Sequence, residues 1–594
     1  MKKTLRPLHF MILYAGLALL VAAFSACSKS SQASMTINLT NAPSRLTVNQ
    51  SVSLTATVAN DSSNEGVDWS STGGGSFNPT HTASGGTTIY TAPATSGTVT
   101  ITATATANTA VKANATVTIV PVGSNSMLSG TYVFSVQGVD SNGNYTATGT
   151  IVADGNGNIT SGEQDYADVS LLAGPDAVTG TYSIGPDGIG SITLNVNDTS
   201  LPQNGVETFS IAVTSASHAL IIQFDGTAAS SGSLDLQAAS ALNAAAINGA
   251  FAFTVQGIDT ASQVPASFGG VLLMSASSGT IAGGVYYENE GGSTSTSSFT
   301  GTMTAPDSFG RGTMGLTNGL GFSYYAVQGE VLRLVGLTAP SLMIAGSMYG
   351  QGSAGTNGTF SSAALTGNYV FFEAGGTTAG GMAMAGQFSA NGAGNFTAGF
   401  ADTNDAGTVT TASIAAQSAY SISGNGSGTL TLPTAVDSVG NISSLVIFAV
   451  DPSLNLLDPT NSSGGGGALV MDYDSTAVAT GFIVPQSSGV FAGNYAVNLQ
   501  FVSSSGEDDW VGQSVAASGA LTGTVDINDN GATSAGVALT GTFTADASHA
   551  GRWTGGFTVN STTYSITYYQ VSPSMFVILD VDSADIGIGI MEAE

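Results

Sequence analysis

One opening motif occurs four times along the chain, and it constrains the fold more than any other feature. In every copy an apolar residue, a small residue and a glycine precede a strand-like segment with aromatic side chains; the glycines are Gly130, Gly249, Gly367 and Gly493. The copies begin 118 to 126 residues apart, whereas solenoid repeats run about 20–50 residues. We therefore predict four tandem domains, at residues 128–237, 247–350, 364–485 and 491–594.

Each copy consists of short segments in which apolar and polar residues alternate, separated by tight turns. In the first copy, turns such as Asp154–Gly157 and Gly185–Gly188 contain Asp-Gly steps, which supply the backbone angles that hairpins require. Eight such segments joined by hairpins form an antiparallel meander, and closing it into a barrel removes the exposed edges. The prediction is an all-β chain in which each copy is an eight-stranded, lipocalin- or avidin-like barrel, with a β-sandwich as the alternative.

Residues 35–121 carry a different pattern. They contain about seven short alternating strands, with Trp69 in the third and the sequence YTAP at 90–93, as in a β-sandwich. This segment resembles bacterial Ig-like (Big-type) domains. The resemblance implies a spacer or adhesion module and brings no catalytic residues with it.

The N-terminus has the three parts of an export signal. Lys2, Lys3 and Arg6 form a basic start, and an apolar run extends from Phe10 to Phe24. That run suits a signal peptide and is shorter than the ~20 residues of a spanning helix. We expect the protein to be exported.

The end of this signal resembles the lipobox of bacterial lipoproteins. Small residues precede Cys27, the single cysteine, while Phe24 departs from the Leu usual at the first lipobox position. The resemblance implies a signal peptide over 1–27, a lipid on Cys27, a tether over 28–34 and, with Ser28, an outer-membrane location. The alternative is an ordinary signal peptide cleaved near Ala26. A single cysteine allows no intramolecular disulfide.

The charge of the chain is one-sided, with 38 acidic and 9 basic residues. Such a surface repels phosphate backbones, which argues against nucleic acid as a partner. It suits divalent cations, a basic partner or simple solubility.

Catalytic motifs are absent from the sequence. His81, His218 and His549 fall in predicted loops or turns and recur at no equivalent position, and neither GxSxG nor HExxH occurs. We expect ordinary turn histidines and a protein that is not an enzyme.

Two segments of the last copy are candidate binding sites. Asp526, Asn528 and Asn530 match the first half of a calcium loop, although Val537 stands at its twelfth position and a hairpin turn explains them equally well. Asp508, Asp509 and Trp510 are predicted to lie in an acidic loop, where an exposed Trp could stack on a sugar.

These observations predict a lipid-anchored surface protein of the cell envelope, facing outward or into the periplasm. Its role would be adhesion, structure or carbohydrate contact, its partners a membrane and a carbohydrate or surface protein, and calcium its one candidate ion. A small-ligand carrier is the alternative if the barrel interiors are not filled by aromatic side chains. An unrecognised hydrolase is a second alternative, favoured if one copy carries a cleft with a perturbed carboxylate. The oligomeric state is left open.

The anchor is tested by acyl labelling in a bacterial host that processes lipoproteins. We expect the chain to incorporate labelled palmitate and to fractionate with membranes, and Cys27→Ala to do neither, because the thiol is the attachment point. Ser28→Ala is the control that should keep its label. Label on Cys27→Ala would contradict the prediction.

Overall fold

The computed structural model describes residues 34–594 apart from 41, 43–44, 50, 96, 121–122, 339, 415–417, 433–443, 462–463 and 504–505. The predicted signal peptide, Cys27 and all but the last residue of the tether lie outside the described residues. The chain divides into two compact units, Met1–Val122 and Gly123–Glu594. Among the described residues, none of the helices has the length and apolar character required to cross a membrane.

The first unit is a sandwich of two sheets. Its strands are β1 (Thr36–Thr40), β2 (Arg45–Thr47), β3 (Ser51–Ala59), β4 (Val67–Thr72), β5 (Ser76–Asn78), β6 (His81–Thr82), β7 (Thr87–Thr91), β8 (Gly97–Ala105) and β9 (Lys112–Val120). The sheet orders are β1-β3-β7-β5 and β2-β9-β8-β4-β6. Trp69 on β4 is buried between the sheets, where its Nε1 donates to Thr82 Oγ1 at 3.0 Å. A buried Trp with its N–H satisfied is a stable plug for such a core.

The second unit holds the four copies. Copy 1 comprises β10 (Ser129–Asp140), β11 (Gly143–Asp154), β12 (Asn158–Asp168), β13 (Leu172–Ile184), β14 (Ile189–Val196), β15 (Val206–Val213), β16 (His218–Gln223) and β17 (Ala228–Leu236). Copy 2 comprises β18 (Asn248–Asp259), β19 (Val264–Ser275), β20 (Thr280–Glu290), β21 (Ser293–Met303), β22 (Arg311–Leu316), β23 (Gly321–Gln328), β24 (Val331–Gly336) and β25 (Leu342–Gly350). Both copies are closed eight-stranded antiparallel barrels.

The remaining copies follow the same strand order. Copy 3 comprises β26 (Thr366–Thr377), β27 (Gly381–Asn391), β28 (Phe396–Asp405), β29 (Thr408–Ser413), β30 (Ala419–Ile422), β31 (Ser427–Thr431), β32 (Ser444–Ala449), β33 (Ala468–Asp472) and β34 (Ala477–Pro485). Copy 4 comprises β35 (Gly493–Ser503), β36 (Gly506–Ala517), β37 (Ala520–Asp529), β38 (Ala532–Ala545), β39 (Arg552–Val559), β40 (Thr562–Ser572), β41 (Met575–Asp580) and β42 (Ile586–Ala593). Short helical turns lie at Asn125–Met127, Pro202–Asn204, Ala239–Leu242, Gly352–Thr356 and Ser362–Ala364.

The prediction of eight-stranded barrels is confirmed for copies 1, 2 and 4, and copy 3 differs. Copy 3 is a nine-stranded sheet whose edge strands are β29 and β30. These two short strands together take the place of the single β13 of copy 1. Among the described strands, β29 pairs with β28 and β30 pairs with β31, and no ladder joins β29 to β30, so the sheet stays open. An isolated bridge joins Asn395 to Ala419 on β30.

The recurrent glycine of the opening motif has a backbone reason. Gly130, Gly249, Gly367 and Gly493 all have positive φ, between 118° and 137°. Residues with a Cβ rarely adopt these angles, so the chain needs glycine where it enters the first strand of each copy. The motif therefore marks a backbone bend and not a binding loop.

The three barrels and the open sheet of copy 3, which is called barrel 3 below, pack in a ring, each against the next. A hydrophobic cluster outside the barrels contains residues of all four, among them Val133, Tyr325, Phe448 and Tyr569. The outer surface of each barrel, which would be exposed in an isolated barrel, is thus partly buried against its neighbours. This arrangement explains why strands such as β16 and β41 are buried along their whole length.

An asparagine at the end of the third strand connects successive barrels. Nδ2 of Asn404 on β28 donates to the carbonyl oxygens of Asp580, Asp582 and Asp585 at 3.1, 3.0 and 2.9 Å. These residues lie in or beside the turn between the last two strands of barrel 4.

The equivalent asparagines form the same contact elsewhere in the ring. Asn289 of barrel 2 donates to the corresponding turn of barrel 3, and Asn528 of barrel 4 donates to that of barrel 1. Barrel 1 carries Ala167 at this position. The directions 2→3, 3→4 and 4→1 show that one mode of docking is repeated around the ring.

Charged pairs strengthen two of the four junctions. Arg311 of barrel 2 makes a two-pronged contact with Asp165 of barrel 1, at 2.7 and 2.9 Å. Arg552 of barrel 4 contacts Asp402 of barrel 3 at 2.8 Å. Asp165 and Asp402 occupy equivalent places on the third strand, three residues before its end.

Replacing Asn404 tests this docking contact. We expect Asn404→Ala to lower the free energy of unfolding by about 1–3 kcal/mol, because the substitution removes a fully buried amide and leaves three carbonyl oxygens without their donor. Denaturant titration measures the effect. Ala is compatible with the strand itself, because copy 1 has Ala167 there. Asn195→Ala, on an exposed position of β14, is the control and should change stability by less than about 0.5 kcal/mol; equal effects would contradict the prediction.

Candidate functional site

The middle of the ring contains a cavity of about 570 Å³ lined by strands of all four barrels. Its wall includes the same position of each first strand, occupied by Gln137, Gln256, Ala374 and Gln500. Three of the four copies therefore present a carboxamide to one central space. The sequence alone showed these glutamines without indicating that they converge.

The chemistry of the wall is mostly neutral. Polar atoms come from amides and hydroxyls, and apolar patches come from aliphatic side chains; the latter include Ile258, Met343, Val478, Val502, Ile586 and Ile588. Of the described residues that line the cavity, none is basic and one, Glu507, is acidic. Such a wall can bind an uncharged ligand through hydrogen bonds and apolar contact.

Glu507 belongs to a buried carboxyl pair at the wall. Its Oε1 accepts a hydrogen bond of 2.6 Å from Gln500 Nε2, and the charge of Asp509 acts on the same carboxyl group. Asp509 is fully buried and accepts a hydrogen bond of 2.5 Å from Ser231 Oγ of barrel 1. Burial and mutual repulsion raise the pKa of Glu507 well above its ordinary value, and burial raises that of Asp509 to about 7. Burial of the two neighbouring carboxyl groups thus favours their neutral form.

The interpretation of residues 508–510 as an exposed loop was wrong. They lie on strand β36, and Trp510 is 1% exposed inside barrel 4, with its ring centroid 4.8 Å from that of Phe501. Its Nε1 donates to Asp508 Oδ1 at 2.9 Å. Alternation along the strand turns Asp508 and Trp510 inward and Asp509 toward barrel 1. Trp510 therefore offers no exposed face to a sugar.

The three residues of the predicted calcium loop are engaged in protein contacts. Asp526 accepts hydrogen bonds from Ser210 Oγ at 2.6 Å and from the Gly536 N–H at 2.7 Å. Asn528 holds the turn of barrel 1, and Asn530 lies at a hairpin with φ of 48°. Asp526 and Asn528 thus serve the junction between barrels 4 and 1. A calcium site at these residues stays a prediction.

His218 lies in a buried ion cluster to which all four barrels contribute. Its Nδ1 is 2.8 Å from Asp235 Oδ1 and 3.8 Å from Asp458 Oδ1, and its Nε2 is 3.2 Å from Glu592 Oε2. Arg333 Nη2 contacts Asp235 at 2.6 Å. The prediction of an ordinary turn histidine is wrong for His218, which is fully buried at the start of β16. Asp458 and Glu592 come from copies 3 and 4, so the local sequence carries no signal of them.

The cluster favours a charged imidazole. Burial by itself lowers the pKa of His218, but Glu592 and Asp235 outweigh burial and hold the pKa well above 6.5. Oxygen and nitrogen atoms of His218, Asp235 and Asp458 lie within 4.8 Å of one another, as in a metal site. Since Arg333 and the imidazole proton already neutralise Asp235, the arrangement fits an ion-pair network better than a metal.

A second cavity of about 210 Å³ lies beside the cluster. It is lined by His218, Arg333 and Tyr349, and it shares Gln137 and Ser231 with the larger cavity. The ion cluster thus adjoins the second cavity, which is next to the larger one. Because all four barrels contribute to the cluster, it helps to hold them around these cavities.

Replacing His218 tests the cluster. We expect His218→Gln to lower the free energy of unfolding by about 3–5 kcal/mol below pH 6.5, because buried carboxylates lose their cation. Because folding raises the pKa of His218, its contribution to stability is complete below pH 6.5 and is lost as pH rises through the pKa of the folded state. The stability difference between His218→Gln and the unmodified chain should therefore shrink at alkaline pH. Denaturant titrations from below pH 6.5 to alkaline pH measure this difference. His549→Gln, whose side chain is 40% exposed beside Asp546, is the control and should show little effect; a pH-independent deficit would contradict the prediction.

Comparison with known proteins leaves the family open. No family model and no curated protein matches the chain. Solved structures with some likeness include a Trp-176-Ala mutant of Transferrin Binding Protein B from Haemophilus parasuis, at 8% identity over 78% of this chain and 96% of that one, with a TM-score of 0.19. Kievitone hydratase from Nectria haematococca is 10% identical over 60% of this chain and 91% of that one, with a TM-score of 0.16. At such TM-scores these likenesses carry no argument about function.

Proposed function

We propose that this chain is a lipid-anchored envelope protein that binds a small uncharged, hydroxyl-rich ligand in the central cavity of its four-barrel ring. The observation that carries the proposal is the convergence of Gln137, Gln256 and Gln500 on one space from equivalent strands. The anchor rests on the leader and Cys27 alone. Binding is the proposed role, without a reaction on the ligand.

The size and charge of the cavity support this ligand class. Small-molecule sites have volumes of about 300–1,000 Å³ and combine apolar walls with a few polar groups. The central cavity has a volume of about 570 Å³ within this range, and its wall combines aliphatic side chains with amides and hydroxyls. The acidic chain repels anions, and an uncharged ligand avoids that repulsion. Neutral saccharides have the required hydroxyl groups.

The interior of a barrel is a less suitable ligand site than the central cavity, because aromatic side chains occupy it. In barrel 1 the rings of Phe134 and Phe209 lie 6.0 Å apart, and those of Tyr145 and Tyr166 lie 5.6 Å apart. Aromatic side chains of this size fill an eight-stranded barrel. The cavity of about 570 Å³ lies between the barrels, since strands of all four line it.

The carboxyl pair at the wall favours binding over hydrolysis. Glycoside hydrolases of the usual type hold two carboxyl groups about 5–9.5 Å apart on either side of the scissile bond. Glu507 lines the cavity, whereas Asp509 is fully buried and bound to Ser231 of barrel 1. The two carboxyl groups therefore do not flank a ligand in the cavity, and the suitable role of Glu507 is a hydrogen bond at the wall.

Blocking the cavity tests the proposal. We expect the chain from residue 28 onward, carrying an affinity tag, to be retained on an array of neutral mono- and disaccharides and not on sialylated or uronic-acid glycans. Gln137→Trp should lose that retention, because its side chain lines both central cavities and the indole fills them.

Val515→Trp is the matched control, since Val515 is 45% exposed on the barrel surface. It should bind like the unmodified chain. If Gln137→Trp were retained as well as the unmodified chain, the ligand would bind outside the cavity and the proposal would be wrong. Retention of the unmodified chain on anionic glycans only, or on no glycan, would also overturn it.

A further inference from the structure

One mouth of barrel 4 gathers carboxyl groups. Asp580, Asp582 and Asp585 lie in or beside the turn that joins β41 to β42, and their carboxylate oxygens come within 4.8 Å of one another. Asp508 and Asp529, paired across β36 and β37, act electrostatically on the same mouth. Five acidic groups therefore repel one another in a small volume.

A buried oxygen without a partner distinguishes this mouth from a solvated acidic patch. Asp580 is fully buried; its Oδ1 accepts the N–H of Asp582 at 3.0 Å. Its Oδ2 has no hydrogen-bond partner among the described residues. An unpaired buried carboxylate oxygen is costly, and each such group requires an explanation.

Basic side chains are not available to neutralise the mouth. The second unit contains three, Arg311, Arg333 and Arg552, and all three pair with aspartates at barrel junctions.

The equivalent turns of the other barrels lack the same set. In barrel 1 the positions of Asp580, Asp582 and Asp585 are occupied by Gln223, Asp225 and Ala228. Both carboxylate oxygens of Asp225 accept hydrogen bonds, from Thr227 and from Gln223 and the Thr208 N–H.

Barrel 3 has Asp472, Asp474 and Ala477 at these positions. The third carboxylate, Asp585, is therefore specific to barrel 4. The turn is also held in place, since Asn404 binds its backbone by three hydrogen bonds.

We infer that this mouth is a binding site for a divalent cation of the calcium type, with Asp580 Oδ2 and the carboxylates of Asp582 and Asp585 as ligands. Hard cations take clustered carboxylate oxygens and complete their shell with water. The site is independent of the proposed ligand cavity. It also differs from the loop at Asp526, whose side chains serve the junction with barrel 1.

Terbium luminescence tests the site, with Tb³⁺ as the probe and Ca²⁺ as the competitor. The aromatic donors are in place, because the rings of Trp510 and Tyr564 lie 5.0 Å apart and Trp510 is bonded to Asp508. We expect sensitised Tb³⁺ emission from the chain beginning at residue 28, and its displacement by Ca²⁺. Loss of an outer-shell partner already weakens metal binding about 10–100-fold, so Asp585→Asn should weaken it at least about tenfold.

Asp225→Asn, at the equivalent turn of barrel 1, is the matched control and should leave the emission unchanged. A second measurement guards against misfolding: Ca²⁺ should raise the unfolding temperature of the unmodified chain and of Asp225→Asn, and not that of Asp585→Asn. Emission that Ca²⁺ does not displace, or equal Tb³⁺ affinity of Asp585→Asn, would overturn the inference. So would an unfolding temperature that Ca²⁺ leaves unchanged in all three proteins.

Discussion

Burial of charge between neighbouring barrels is the constraint on which the second unit depends. Residues 123–594 contain three basic side chains, all arginines, and each pairs with an aspartate of an adjacent barrel. A buried charge is tolerated only when it is paired and hydrogen-bonded, so these pairs require the barrels to stay together. The four copies thus form a single compact unit, Gly123–Glu594.

The junctions differ in their contacts. Arginine–aspartate pairs join barrels 1 and 2 and barrels 3 and 4. Tyr287 packs on Phe448 between barrels 2 and 3, and Ser210 Oγ donates to Asp526 between barrels 1 and 4. His218 and its carboxylates close the centre, where all four barrels meet. The central cavity exists because these contacts hold four first strands around it.

Differences between the copies matter more for function than their common fold. The first strands share the opening glycine, yet the fourth barrel alone combines Glu507, Asp509 and the turn with Asp585. Residues that read as an exposed loop, such as Asp509 and Trp510, lie on a strand whose two faces are both covered. Alternation predicts which residues share a face, but it does not reveal that a neighbouring barrel covers the outer one.

The sequence by itself determined the all-β class and the four copies, and it predicted the closed meander found in copies 1, 2 and 4, because hairpin turns, alternation and the opening glycine act locally along the chain. It also contains the basic and apolar leader that ends at Cys27. Only the tertiary structure decided that Gln137, Gln256 and Gln500 converge, that His218 is buried among carboxylates and that Asn404 holds a distant turn. Most of these contacts join residues of different copies. Packing between barrels brings them together, and such packing leaves no periodic trace in the sequence.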